Sequence, residues 1–106
     1  MTTGIYKITN QINNKVYIGQ SIHIERRWQE HCRPSASSII SEAIKKYGID
    51  NFTFEIIEKC DENDLNARES YWINFFQSLV PNGYNVSDIT ESNHSLYIYF
   101  SKEELC

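Results

Sequence analysis

Gly4-Ile5-Tyr6-Lys7-Ile8-Thr9-Asn10-Gln11-Ile12-Asn13-Asn14-Lys15-Val16-Tyr17-Ile18-Gly19 is the stretch whose reading decides the fold. Two short apolar runs flank the Asn-rich segment from Asn10 to Lys15, which is the pattern of a β-hairpin. Loops of about two, four or six residues give pairings whose residue numbers sum to an odd value, and side chains alternate between faces. Tyr6, Ile8, Tyr17 and Gly19 then share one face. In the six-residue register Tyr6 lies opposite Gly19, which has no side chain, so the phenol is expected to face open space and floor a site. Strands favour tyrosine in any case, and two ordinary sheet aromatics explain the hairpin at least as well.

Outward from the hairpin, Ser21 is placed to cap a helix running to about Arg33, with Pro34 beyond its end. Ile24, Trp28 and Cys32 recur at helical spacing as its buried stripe, and His23, Arg27 and His31 follow one position behind, on the border of that face. A border arginine and histidine are equally explained by a snorkelling side chain and a satisfied boundary imidazole. The residues Ser35 to Ser38 form a short loop. A second helix has Ile40, Ala43, Ile44 and Tyr47 as its inner face and stops at Gly48. Lys45 and Lys46 suit the negative end of its dipole. From Asn51 to Glu58, Phe52, Phe54 and Ile56 alternate with Thr53, Glu55 and Ile57 as a half-buried strand.

Asp61 is placed to cap a third helix reaching Leu79, before Pro81, with Leu65, Trp72, Ile73, Phe76 and Leu79 as its apolar stripe. Glu69 falls inside that stripe. A carboxylate on a core face is costly unless it is paired or holds a metal. A buried ion pair with Arg68 or Arg27 and a metal ligand are equally consistent with this placement. Asn82-Gly83 reads as a turn and Tyr84-Asn85-Val86 as a short edge strand. Further on, residues 88–95 read as a loop, Leu96 to Phe100 as strand-like, and Ser101 to Leu105 as the first turn of a helix.

The 106 residues are the size of one domain, and their composition is that of a soluble globular protein. No apolar run is long enough for a membrane span and no signal-peptide pattern opens the chain, so a cytoplasmic location and no membrane partner are expected. Cys32, Cys60 and Cys106 are odd in number and far apart, which indicates neither a disulfide framework nor a structural zinc site. The net charge of −4 is uneven: residues 1–60 carry eight Lys/Arg against six Asp/Glu, and residues 61–106 carry two against eight. A local basic surface on the first half and a merely solvated mixed surface are equally consistent with this split.

Taken together, Gly4-Ile5-Tyr6, Tyr17-Ile18-Gly19, Arg27, Glu69 and Gly83-Tyr84-Asn85 give the chain a pattern that resembles the GIY-YIG nuclease superfamily over about residues 3–88. The stretches Asn13-Asn14-Lys15-Val16-Tyr17-Ile18-Gly19 and Glu25-Arg26-Arg27-Trp28 look closest to the catalytic modules of phage and intron-encoded homing endonucleases. The resemblance implies an α/β fold with a three-stranded antiparallel sheet flanked by about three helices. It implies a catalytic domain over residues 1–88, an extension of unknown role over 89–106, and cleavage of DNA phosphodiesters with one Mg²⁺ or Mn²⁺. Carried over by position, Glu69 is the metal ligand and Arg27 the phosphate-neutralising arginine. Tyr6 and Tyr17 orient or deprotonate the water, His31 assists, and Asn85 braces the site. Gly19 and Arg26, inside the matching motifs, and Lys45 and Lys46 are expected to meet the substrate.

These residue types suit the chemistry. Negative charge builds on the phosphate oxygens and on the departing 3′ oxygen, where a guanidinium and a divalent cation stabilise it. Tyrosine is the awkward base, because a pKa of about 10 leaves roughly one molecule in a thousand ionised at neutral pH. Arg27 and the field of the metal are expected to lower that pKa, and His31 or Tyr17 to relay the proton. Gln20 stands where repair-type relatives carry lysine, and Ala36 precedes Ser37-Ser38 where certain homing-type relatives carry a second histidine. A separate DNA-binding protein or a second copy of the chain is an expected partner beside DNA. The alternative is a non-catalytic nucleic-acid or protein-binding module, whose mark would be loss of Tyr6, Arg27 or Glu69; all three are present.

Overall fold

Asn10 organises the hairpin turn. Its backbone oxygen accepts the Asn14 N–H at 2.7 Å and its Oδ1 accepts the Ile12 N–H at 2.9 Å. Asn14 takes a φ of 64°, a left-handed conformation that asparagine tolerates. The turn sets β1 (Gly4–Asn10) antiparallel to β2 (Val16–Ser21), with Tyr6 opposite Gly19 and Ile8 opposite Tyr17, as the six-residue register requires. β3 (Phe52–Lys59) pairs antiparallel with the other side of β1, so the sheet order is β2-β1-β3 and β2 is an edge strand. This computed structural model describes residues 1–86.

The alternation of the strands sends two sets of side chains to two cores. On one face Tyr6 and Ile8 pack with Ile24 of α1 (Ile24–His31) and with Ile40, Ala43 and Ile44 of α2 (Ile39–Tyr47). On the other, Ile5 and Ile18 pack with Leu65 and Ile73 of α3 (Leu65–Phe76). The inner face predicted for α2 is the observed one, and Gly48 ends that helix at a φ of 91° that favours glycine.

Several boundaries differ from the sequence reading. His23, not Ser21, caps α1: its Nδ1 accepts the Arg26 N–H, while the Ser21 hydroxyl accepts the His23 N–H and shapes the turn before the helix. Cys32 is exposed rather than part of the buried stripe, because the helix ends at His31 and Cys32 already flanks it. Asp61 caps a single 3-10 turn, Glu62–Asp64, that leads into α3. α3 stops at Phe76, where Gln77 turns left-handed at a φ of 52°, so Leu79 packs on the same core from beyond the helix. Tyr84-Asn85-Val86 is not a strand; Asn85 forms one isolated bridge to Leu79. The expectations for 88–106, with Cys106, lie outside the described residues. Among those described, Cys32 and Cys60 are free thiols and no helix is long and apolar enough to cross a membrane.

Candidate active site

The site is built around the edge of β2. Gly19 permits it, because a Cβ there would overlap the ring and Oη of Tyr6, which reaches across the glycine from β1. The space left by the missing side chain is thus filled by the phenol, contrary to the open floor expected, and Tyr6 is only 1% exposed. Its Oη lies 2.8 Å from Nε2 of His31, delivered by the last turn of α1. Tyr17 closes the group, its ring 5.4 Å from that of His31 and 6.2 Å from that of Tyr6, and Trp28 meets the Tyr6 ring edge-on. Tyr17 is half-buried and is the more accessible of the two tyrosines.

Burial sets the electrostatics of this cluster. It pushes the Tyr6 phenol well above its ordinary range, and the neighbouring Tyr17 and Glu69 add to the rise. Arg27 acts in the lowering direction, as expected, but is outweighed. Burial, helped by the Arg27 charge, lowers His31 to about 4, so the imidazole is neutral at neutral pH. With the proton on Nδ1, its Nε2 accepts the Tyr6 O–H. Burial works against the charge on Arg27, but Tyr6, Tyr17 and Glu30 outweigh it and hold the guanidinium charged. Its side chain is 43% exposed and donates to Glu30 Oε1 at 2.9 Å. Arg26 points further into solvent, 3.8 Å from the same carboxylate.

Glu69 comes from the helix on the opposite face. It is 8% exposed, in line with Leu65 and Ile73, as the helical spacing predicts. Neither candidate ion pair forms, since Arg68 bonds Glu58 and Arg27 bonds Glu30. The carboxylate instead accepts a hydrogen bond from Gln20 Nε2 at 2.8 Å. Burial raises it to about 7 against the lowering effect of that bond. Its charge adds to the rise at Tyr6 across the sheet.

A buried carboxylate with no ion-pair partner among the described residues has the hard-oxygen chemistry that suits Mg²⁺ or Mn²⁺, which take one or two carboxylates and keep several waters. Among the described residues no three His, Cys, Asp or Glu gather in one place, so the donor set does not suit a structural zinc site. Glu69 is the residue that would hold the ion.

Asn85 does its work on the strand edge. Its amide accepts the Ile18 N–H at 2.9 Å and donates to the Ile18 oxygen at 2.8 Å, replacing a neighbouring strand, while Ser78 donates to its Oδ1. These bonds tie the loop after α3 to the β2 edge. Lys45 is engaged by the Ala36 carbonyl and Glu42, and Lys46 lies over the Tyr47 ring; neither contacts the tyrosine–histidine cluster. Sequence reasoning missed Gln20 as a partner of Glu69, and Tyr84, whose hydroxyl accepts from Asn10 in the hairpin turn. The parity that places Gln20 with Ile18 on the α3 side of the sheet was the available signal.

A family model described as the GIY-YIG catalytic domain matches residues 2–85. Intron-associated endonuclease 1 of Enterobacteria phage T4 is 37% identical over 97 residues, which cover 85% of this chain and 39% of that protein. Probable intron-encoded endonuclease 1 of Neurospora crassa is 34% identical over 98 residues, covering 85% of this chain and 32% of that one. A mutant catalytic domain of intron endonuclease I-TevI shares the fold with a TM-score of 0.72 at 33% identity, over 85% of this chain and 98% of that chain. The chain thus spans less than half the length of these curated relatives. With the family match running from the first strand to Asn85 and the I-TevI catalytic domain aligned over nearly all of its length, the chain belongs to the GIY-YIG catalytic-domain family.

Proposed function

We propose that this chain is a DNA endonuclease domain that hydrolyses phosphodiester bonds with a single divalent ion held at Glu69. The observation that carries this reading is a buried carboxylate with no ion-pair partner among the described residues, in a fold that also sets a tyrosine–histidine pair beside a charged arginine. When bound, Mg²⁺ or Mn²⁺ supplies positive charge to the phosphate and the departing oxygen. Arg27, part-exposed and held charged, binds the scissile phosphate by sharing its donors between Glu30 and a phosphate oxygen.

Tyr6 is protonated at neutral pH, so free phenolate is not the base. The attacking water passes its proton to Tyr6 Oη as the phenolic proton moves to His31 Nε2, 2.8 Å away. Tyr17, on the accessible side, orients the water. Gly19 contributes by letting Tyr6 cross the strand. Arg26 adds exposed positive charge beside Arg27, and Asn85 keeps the edge rigid. Affinity for DNA rests largely on phosphate neutralisation, and a net charge of −4 gives this chain little of it. A separate DNA-binding protein or a second copy is the partner that would supply the rest.

The test is nicking of supercoiled DNA by the 106-residue chain at low salt with Mg²⁺ or Mn²⁺. Cutting should require the metal and disappear in Glu69→Ala; cutting that survives that change or a chelator overturns the reading. Tyr6→Phe should lower the rate about a hundredfold or more, the usual worth of a positioned base. A pH–rate profile unchanged by Tyr6→Phe would remove Tyr6 from that role.

A further inference from the structure

We propose that Gln20 is the positioning residue of the divalent-cation site, holding the Glu69 carboxylate in its binding orientation without neutralising it; this rests on the assignment of the ion to Glu69. Gln20 follows Gly19 on the edge strand and lies opposite Ile5, so its side chain leaves the sheet toward α3, on the same face as Ile18. There a single nitrogen, Nε2, is 2.8 Å from Asn66 Oδ1 and 2.8 Å from Glu69 Oε1. An amide nitrogen carries two hydrogens, and this geometry uses one on each acceptor. Asn66 and Glu69 are three residues apart on α3, neighbours on one helix face, so one side chain clasps both.

With Glu69 ionised, the hydrogen-bond network assigns the orientation of that amide. Reversing it would set the Gln20 oxygen against a carboxylate and an amide carbonyl, two acceptors with no hydrogen between them. Asn66 therefore orients Gln20, and Gln20 orients Glu69. Only Oε1 of the carboxylate receives this bond, which leaves Oε2 for an incoming ion. A neutral donor adds no positive charge beside the Glu69 carboxylate, whereas an arginine or lysine clasp would have cancelled much of the attraction for a cation. Arg68, the next residue along the helix, is drawn off to Glu58 and does not cancel it. Outer-shell partners of this kind commonly govern metal affinity by about ten- to a hundredfold.

The experiment is Mn²⁺ binding to the full chain without DNA, followed by the electron paramagnetic resonance signal of free Mn²⁺, in wild type, Gln20→Met, Asn66→Ala and Glu69→Ala. Gln20→Met keeps the bulk and removes the donor. It should weaken Mn²⁺ binding about tenfold, and Asn66→Ala should weaken it less, in the same direction. The metal concentration for half-maximal nicking should rise with the dissociation constant, while the rate at saturating Mn²⁺ stays within a few-fold. A merely structural tie would instead lower the saturated rate and leave the metal constant in place. In a Glu69→Ala background Gln20→Met should have no further effect on Mn²⁺. Wild-type affinity in both Gln20→Met and Asn66→Ala overturns the positioning role while leaving the ion at Glu69. Identical Mn²⁺ binding by wild type and Glu69→Ala overturns the ion's assignment itself, and the role of Gln20 with it.

Discussion

Two glutamates meet α3 in opposite ways. Glu58, at the end of β3, accepts Arg68 Nε at 2.8 Å and 3.0 Å and Trp72 Nε1 at 2.8 Å. The Trp72 hydrogen bond, then Arg68, holds it below the ordinary carboxylate range. Glu69, one residue from that same arginine, receives a neutral amide and is raised to about 7 by burial. The first carboxylate is satisfied by its surroundings and ties a strand to a helix. The second is kept short of positive charge, which is what a cation site requires. Adjacent helix positions point about a quarter-turn apart, so Arg68 leans over the β3 side while Glu69 faces the β2 edge.

The strongest way to break this contrast is Glu69→Gln. Nicking should fall by about a hundredfold to a thousandfold, the scale of losing an electrostatic stabiliser of the transition state. Cleavage at wild-type rate would make Glu69 as structural as Glu58.

The same change should stabilise the metal-free fold in a pH-dependent way. The folded carboxyl holds its proton up to about 7, whereas the unfolded one releases it near 4.5. The folded state therefore binds more protons between these values, and stability drains as pH rises through that window. The span corresponds to about 3 kcal/mol. Wild type and Glu69→Gln should match in their response to pH below 4.5 and diverge to the full difference above 7, as urea unfolding in chelator would show. Divergence in the reverse direction would mean that Glu69 has a cationic partner.

Glu58→Gln sharpens the comparison from the other side. Removing the partner of Arg68 should lower the melting temperature with nicking unchanged within about twofold, since that ion pair is part-exposed and Glu69 takes its hydrogen bond from Gln20 instead. A loss of cleavage out of proportion to stability would show Arg68 reorienting onto Glu69. The smallest effect is expected at Glu30→Gln, which frees Arg27 from its exposed partner. DNA affinity at low salt should improve about two- to fivefold, the worth of a surface pair, as a fluorescence titration would measure; weaker binding would mean that Glu30 holds Arg27 in its working orientation.

Much of this site was legible in the chain itself, because strand and helix periods are local properties. Alternation put Tyr6 and Gly19 on one face, and the helical period put Glu69 among Leu65, Trp72 and Ile73. What periodicity supplies is a face, not a neighbour. The empty volume at Gly19 could be read as an open floor or as room for Tyr6 to cross, and only the packed core decides for the second. Ser21 has the cap chemistry in sequence, but its hydroxyl is used by the His23 N–H in the preceding turn, and His23 Nδ1 accepts the Arg26 N–H instead.

The sequence by itself determined the hairpin and which of its residues share a face, the carboxylate on the core face of α3, and the family to which the ordered motifs belong. Tertiary structure alone decided that His31 rather than Arg27 takes the Tyr6 hydroxyl, that Arg68 turns to Glu58, that Asn85 closes the backbone of Ile18, and that Gln20 reaches Glu69. Those pairings join residues from different elements, and each depends on which competing donor is nearest once the two cores have packed against the sheet.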